Sequence, residues 1–298
     1  MKKLICIFAI LAASIFSASA ENVIIEKNYS LKNFRGLSIS NTFDVTVEKA
    51  DSYSIHIAVL DEYAPYLDVR VIGGVLNLGF RNLPRKLSAT GYIKSAAVAK
   101  ITMPSLERLS LSGASHFEAK GSFDIGSAPF QMTVSGASEV KRVEIFGGDA
   151  MIDVSGASRA NISGSFVDIE MDLSGASRTA LTADGEDLRI EASGTAVAES
   201  EGEYENAEFE TSGVSNITVN GMAATLNVDA SGTSSVDALN MHVDTAEVNL
   251  SGASVCKTDV SGSLKTECTG ASTLSYKAYD NLKLDLREMS RTSTLKKL

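Results

Sequence analysis

The sequence has no tryptophan, and aromatic residues make up only 6% of it. Carbohydrate sites commonly present flat aromatic faces to their ligands. The tyrosines here concentrate before residue 100 and near the C-terminus, which counts against a glycan site on the central stretch. Cysteine is nearly missing too. Cys6 lies within an N-terminal apolar run, leaving Cys256 and Cys268, which read as small buried hydrophobes ahead of a disulfide. No further ligands of matching spacing lie near them, so no metal site is expected.

Histidine is limited to His56, His116 and His242, scattered along the chain with no nucleophile or carboxylate recurring beside them. A Ser-His-Asp site is therefore weakly supported, and serine is so abundant that any such triple would be coincidence. Basic residues are in deficit, 27 against 37 acidic ones. This excludes a nucleic-acid partner, which would need a basic stripe. Only one long apolar run occurs, Leu4 to Phe16, preceded by Lys2 and Lys3 and followed by Ala18-Ser19-Ala20. It fits a secretory signal peptide over residues 1–20, too short for a membrane span. Cleavage before Glu21 removes two lysines and leaves 25 basic and 37 acidic residues, a net charge of −12. The expected mature chain is exported, with no stable span after signal cleavage.

What the chain does have is a repeat. Ser155-Gly156-Ala157-Ser158 and its variants begin at Ser112, Ser135, Ser155, Ser174, Ser193, Ser212, Ser231, Ser251 and Thr269, 18 to 23 residues apart. A period of about twenty marks a solenoid. The second position is always glycine: Gly113, Gly136, Gly156, Gly175, Gly194, Gly213, Gly232, Gly252 and Gly270. Either a bend reached only by glycine or a close approach of stacked coils explains that column, and both causes are structural.

Around each tetrapeptide, apolar and polar residues alternate with the period of a strand. The position before it (Leu111, Val134, Val154 and Leu173 among others) and the position five on from its start (Phe117, Val140, Ala160 and onward) are mostly apolar. Stacked, they form ladders lining a narrow core. The predicted fold is an all-β, single-stranded, right-handed parallel β-helix, a β-solenoid with coils of 19–20 residues. The hand follows from the preference of parallel crossovers. Strands are also expected at Leu37–Ile39, Phe43–Val47, Tyr53–Ile57, Leu67–Val71 and Val75–Leu78, with Gly73-Gly74 as a hairpin turn. Asp61 to Tyr66 reads as an irregular excursion or one helical turn, and Arg81 to Lys94 as an exposed loop. A single domain over 21–298 is expected: N-terminal coils and cap over 21–103, repeats over 104–277 and a C-terminal cap over 278–298. There, Met289–Ser293 aligns as a tenth copy with Arg291 in the glycine column, a size tolerated if no further coil stacks on it.

Phe34-Arg35-Gly36-Leu37, Phe43-Asp44-Val45-Thr46-Val47, Tyr63 to Val69, Gly74 to Leu78, Ile101 to Leu106 and the repeats together resemble the auto-transporter adhesin head (GIN) domain of bacterial exported proteins, common in Bacteroidetes. The resemblance implies a right-handed β-helix at the cell surface or in the periplasm, and it carries over no site residues.

The candidate chemistry is sparse. Asp149, Asp153, Asp168 and Asp172 are the one acidic concentration worth weighing as a calcium site of a polysaccharide lyase. Their alternation with Ile152, Val154, Ile169, Met171 and Leu173 is that of a solvated strand face. Glu199 to Glu210 reads as a charged outer turn. The hydroxyl column reads as structural hydrogen bonding rather than as an array meeting a repetitive ligand. The reading is thus a non-catalytic interaction protein without cofactor, binding an unidentified glycan or protein surface, with the N-terminal loops as its expected contact region. A polysaccharide-active enzyme and a periplasmic sensor or scaffold are the alternatives.

Overall fold

The computed structural model describes residues 23–88, 97–277 and 279–298. The expected signal peptide, residues 1–20, lies outside them, as does the latter part of the expected loop, residues 89–94. The described chain is a nearly all-β solenoid of about 10 turns. Each coil comprises a strand, the tetrapeptide turn, and a second strand. The strands on either side of the turn build two parallel ladders, such as Ala150–Val154 on Asp168–Leu173 on Asp187–Ala192 before it, and Arg159–Ser165 on Arg178–Asp184 after it. From Val197 to Cys268, strands of 14 to 16 residues run through the corner between the ladders.

The alternation read from the sequence puts its apolar members inside. Both apolar columns flanking the turns are buried along their whole length, including Thr211, Thr179 and both cysteines. Cys256 and Cys268 carry free thiols, and burial pushes the Cys256 thiol well above its ordinary range. The fourth tetrapeptide position is also buried, from Ser115 to Ser272. Some of its hydroxyls are held locally, as Ser215 Oγ is, its proton shared between the carbonyls of Ala192 and Ser212, each at 2.9 Å, whereas the buried hydroxyls of Ser177 and Ser272 have no partner among the described residues.

The glycine column has two causes acting together. Gly175 sits at φ +72°, where a side chain is strained, and a Cβ there would lie 2.8 Å from the carbonyl oxygen of Gly156. That closeness arises because each turn hydrogen-bonds to the one before it, as in Ala176 N–H to Gly156 O at 2.8 Å. The crowding atom belongs to the preceding coil, not the following one. Arg291 therefore fits its column for a reason other than the one expected. It is not among the residues at positive φ, and in its turn the Gly270 carbonyl accepts from the hydroxyls of Ser290 and Thr292 instead.

At the N-terminal end the turn stack begins one copy earlier than the repeat suggests. Asn41, at φ +74°, takes the glycine position, and its carbonyl accepts Ala114 N–H at 2.7 Å. Asparagine is the non-glycine residue best suited to that conformation. Beyond this coil one more strand pairs parallel in each ladder, Val75–Phe80 and Ala97–Met103, and the pairing then becomes antiparallel. Leu67–Ile72 and Val75–Phe80 form the hairpin on Gly73 and Gly74; Ser54–Leu60 pairs antiparallel with Ala97–Met103, and Ile24–Tyr29, an unforeseen strand, with Ser54–Leu60. The excursion at Asp61–Tyr66 contains a 3-10 turn, Ala64–Tyr66, and buries Tyr63 and Ala64 against the core. Asp61, Glu62 and Pro65 of the same segment stay exposed. The expected exposed loop is largely exposed over residues 81–87 and carries a short helix, Arg85–Ser88.

Candidate interaction groove

Stacking in register turns single residues into columns. The residue two before each turn points outward, and successive coils align Asp153, Asp172, Glu191, Glu210, Asp229, Asn249 and Glu267. Strand spacing places neighbours about 4.8 Å apart. Beside them run the first hydroxyls of the turns, Ser155 to Thr269, and between the two columns lies an open groove of about 710 Å³. Several of those hydroxyls are tied to the preceding coil, as Ser193 Oγ is to Leu173 O at 3.4 Å and Thr269 Oγ1 to Leu250 O at 3.2 Å. The carboxylates and the remaining hydroxyls together line the groove.

The charges are unevenly neutralised. Arg189, one column further from the turn, reaches Glu191 at 2.5 Å and Glu208 and Glu210 at 2.7 Å each. The hydrogen bonds it donates to Glu191 and Glu208 hold its guanidinium charged beyond its ordinary range. Asn249 donates to Asp229 at 2.9 Å. Asp153 and Asp172 have no basic partner of this kind among the described residues. Partial burial, then Glu191, Asp153 and Glu170, push the Asp172 carboxyl above its ordinary value of 3.8. A raised carboxylate pKa means that the folded state favours the neutral form. This contribution is present below the unfolded pKa and is lost as pH rises through the folded one. Asp172→Asn is accordingly expected to raise the melting temperature at pH 7, with the advantage shrinking as pH falls through the raised folded pKa and gone below the ordinary value. Thermal melts across pH 3 to 8 check it, and an unchanged or lower melting temperature at pH 7 would refute it.

The four aspartates singled out from sequence divide between positions. Asp153 and Asp172 join the groove column, Asp168 pairs with Asp187 in a separate column, and Asp149 precedes the strand Ala150–Val154. Among the described residues no three carboxylate, imidazole or thiolate groups converge as metal ligands would. The rest of the acidic column went unrecognised, although its signal, an acid two residues before most turns, is readable once the copies are aligned.

The histidines have closer partners than the sequence suggested. His116 Nε2 lies 3.9 Å from Glu139, and His242 Nδ1 lies 3.6 Å from Asp259. Each carboxylate comes from the next coil in register, which is why proximity along the chain hides it. Asp259 is almost buried and also accepts from Lys277 at 2.9 Å and Tyr279 at 2.8 Å. Burial alone would raise its pKa, but the hydrogen bonds from Lys277 and Tyr279 outweigh it and hold the carboxyl below the ordinary range. This cluster fastens the segment after Lys277 to the coil beneath. His56, in contrast, meets Asn28 at 2.9 Å.

Fold and groove together define a parallel β-solenoid presenting one continuous acidic face. The chain belongs to the family described as "Putative auto-transporter adhesin, head GIN domain", which it matches over residues 33–278. Solved structures share the fold at low identity. A "putative adhesin" from Parabacteroides distasonis is 15% identical, with a TM-score of 0.52, covering 93% of this chain and 98% of that one. One from Parabacteroides merdae is 16% identical, also at 0.52, covering 92% and 96%. A "putative lipid binding protein" from Parabacteroides distasonis is 14% identical, at 0.52 and the same coverage of 92% and 96%. No curated protein matches the chain.

Proposed function

We propose that this chain is an exported, non-catalytic interaction protein that holds a partner along the acidic groove, at the cell surface or in the periplasm. The observation that carries the reading is the in-register column Asp153, Asp172, Glu191, Glu210 and Asp229. The rod's own coil spacing sets the distance between these charges, so they suit an extended ligand carrying amines at regular intervals. Interaction along a rigid, preordered column avoids much of the ordering cost of association. The family name, the leader-like N-terminus and the strongly acidic balance support the same view.

The test is calorimetric titration of the purified protein with chitosan oligomers, with acidic and neutral oligosaccharides in parallel, with and without calcium. Binding confined to the amine-bearing oligomers, weakened at least about tenfold in Asp153→Asn/Asp172→Asn/Asp229→Asn and by added salt, is the expected outcome. Calcium-dependent release of unsaturated or reducing sugars, abolished by Asp153→Asn or Asp172→Asn, would replace the reading with a polysaccharide lyase. Binding that ignores the three substitutions would remove the groove from the reading. Protease shaving of intact cells decides between surface and periplasm.

A further inference from the structure

Four arginines lie within the repeats, and two of them have carboxylate partners. Arg142 reaches Glu144 at 2.8 Å, and Arg189 is held by its three glutamates. Arg159 and Arg178 are exposed and have neither an ion pair nor a side-chain hydrogen bond among the described residues. They stand in register on neighbouring coils, directly after the turns, so their backbones are about 4.8 Å apart. Like charges placed opposite each other on a ladder are destabilising. The one acid in register with the pair, Glu139 beside Arg159, has its carboxylate 3.9 Å from His116. A register shift between Val140 and Val143 brings exposed Lys141 beside Asn161, whose amide donates to the Lys141 carbonyl at 3.0 Å.

We infer that Arg159 and Arg178 form a second binding site, across the turn from the acidic groove, which takes the phosphate or sulfate ester of a sugar. The tetrahedral group follows from the count of acceptors. A carboxylate offers two oxygens and is saturated by one guanidinium in a bidentate contact, whereas a phosphate or sulfate ester keeps three free oxygens and is gripped by two guanidiniums at once. The sugar follows from what lies further along the same strands on the same outward face: Asn161 and Ser163 on one coil, Ala180 and Thr182 on the next. An amide and two hydroxyls supply donors and acceptors for ring hydroxyls, and the small Ala180 side chain, between Asn161 and Glu199, leaves room for the ring.

The flanks limit what fits. Glu139 on one side and Glu199 and Glu201 on the other bound the patch across the coils, so a polyanion laid across the ladder would meet carboxylates at both ends. A single ester on the arginine pair, with its sugar running along the strands, avoids them. Charge rather than stacking holds such a ligand, so the site does not depend on an aromatic platform.

Calorimetric titration of the purified protein at low salt with glucose 6-phosphate, glucose 6-sulfate, glucuronate, inorganic phosphate and glucose tests this, with circular dichroism to verify folding of the variants. The esters are expected to bind, glucuronate and inorganic phosphate at least about tenfold more weakly, and glucose not at all. Binding of one ester alone assigns the group. Arg178→Gln and Arg159→Lys are each expected to weaken ester binding about tenfold, the second because it keeps the charge but loses the bidentate fork. Asp153→Asn/Asp172→Asn/Asp229→Asn, which alters the groove, is expected not to weaken it, so the two sites stand or fall separately. No binding of either ester, glucuronate or inorganic phosphate bound as tightly as the esters, or binding indifferent to both arginine substitutions would overturn the proposal.

Discussion

Gly221→Val is expected to destabilise the protein by roughly 3 to 5 kcal/mol, combining a conformational cost with severe overpacking. Gly221 lies at φ +123°, and a Cβ there would sit 1.8 Å from the carbonyl oxygen of Gly202. That oxygen is backbone, on a strand in register with Gly221 itself, so it cannot swing away as a flexible side-chain tip would. The turn glycines are less crowded: Gly175, at φ +72°, would bring its Cβ only to 2.8 Å of Gly156 O. Gly175→Val is therefore expected to cost a few kcal/mol, less than Gly221→Val. Urea melts of both variants rank them. Equal losses would mean that backbone conformation alone, and not the distance to the coil before, sets the cost.

Phe209→Ala is expected to cost roughly 3 to 5 kcal/mol, the upper part of the range for large-to-small changes. Phe209 is fully buried and stacks in register between Ile190 and Val228. A cavity costs least where the surroundings can collapse into it. Here they are restrained, because hydrogen bonds fix the neighbouring coils at strand spacing on either side of the void. Exposed changes on the same strand offer a control. Glu208→Gln leaves the core untouched, and its loss is limited to one of the three contacts of Arg189. Denaturant titration of the two variants would show the contrast, and a Phe209→Ala loss below about 1 kcal/mol would mean that the coils do close on the void.

The parts of the architecture legible beforehand share one property: they depend on neighbours in sequence or on an unbroken period. The Gly73-Gly74 hairpin, the alternation of Met151-Ile152-Asp153-Val154 and the repeat itself are of this kind. Asn41 was missed because it replaces the diagnostic glycine with another residue able to adopt the same conformation. The strand Ile24–Tyr29 was missed because its antiparallel partner, Ser54–Leu60, lies far along the chain.

The groove shows the same division at a functional surface. Within one strand, Asp172 between Met171 and Leu173 is indistinguishable from an ordinary solvated position. Only stacking at strand spacing gives it Asp153 on one side and Glu191 on the other, and with them a raised pKa and a place in a charged column.

The sequence alone determined the period, the strand alternation and therefore the solenoid, since hydrophobic periodicity and the recurrent turn glycine act locally and repeat without interruption. Tertiary structure decided which side chains meet between coils: His242 with Asp259, Arg189 with three glutamates, each glycine with the carbonyl behind it. Those contacts depend on register, and register depends on hydrogen bonds between residues about a coil apart, where shifts such as the one between Ala238 and His242 decide which residue faces which.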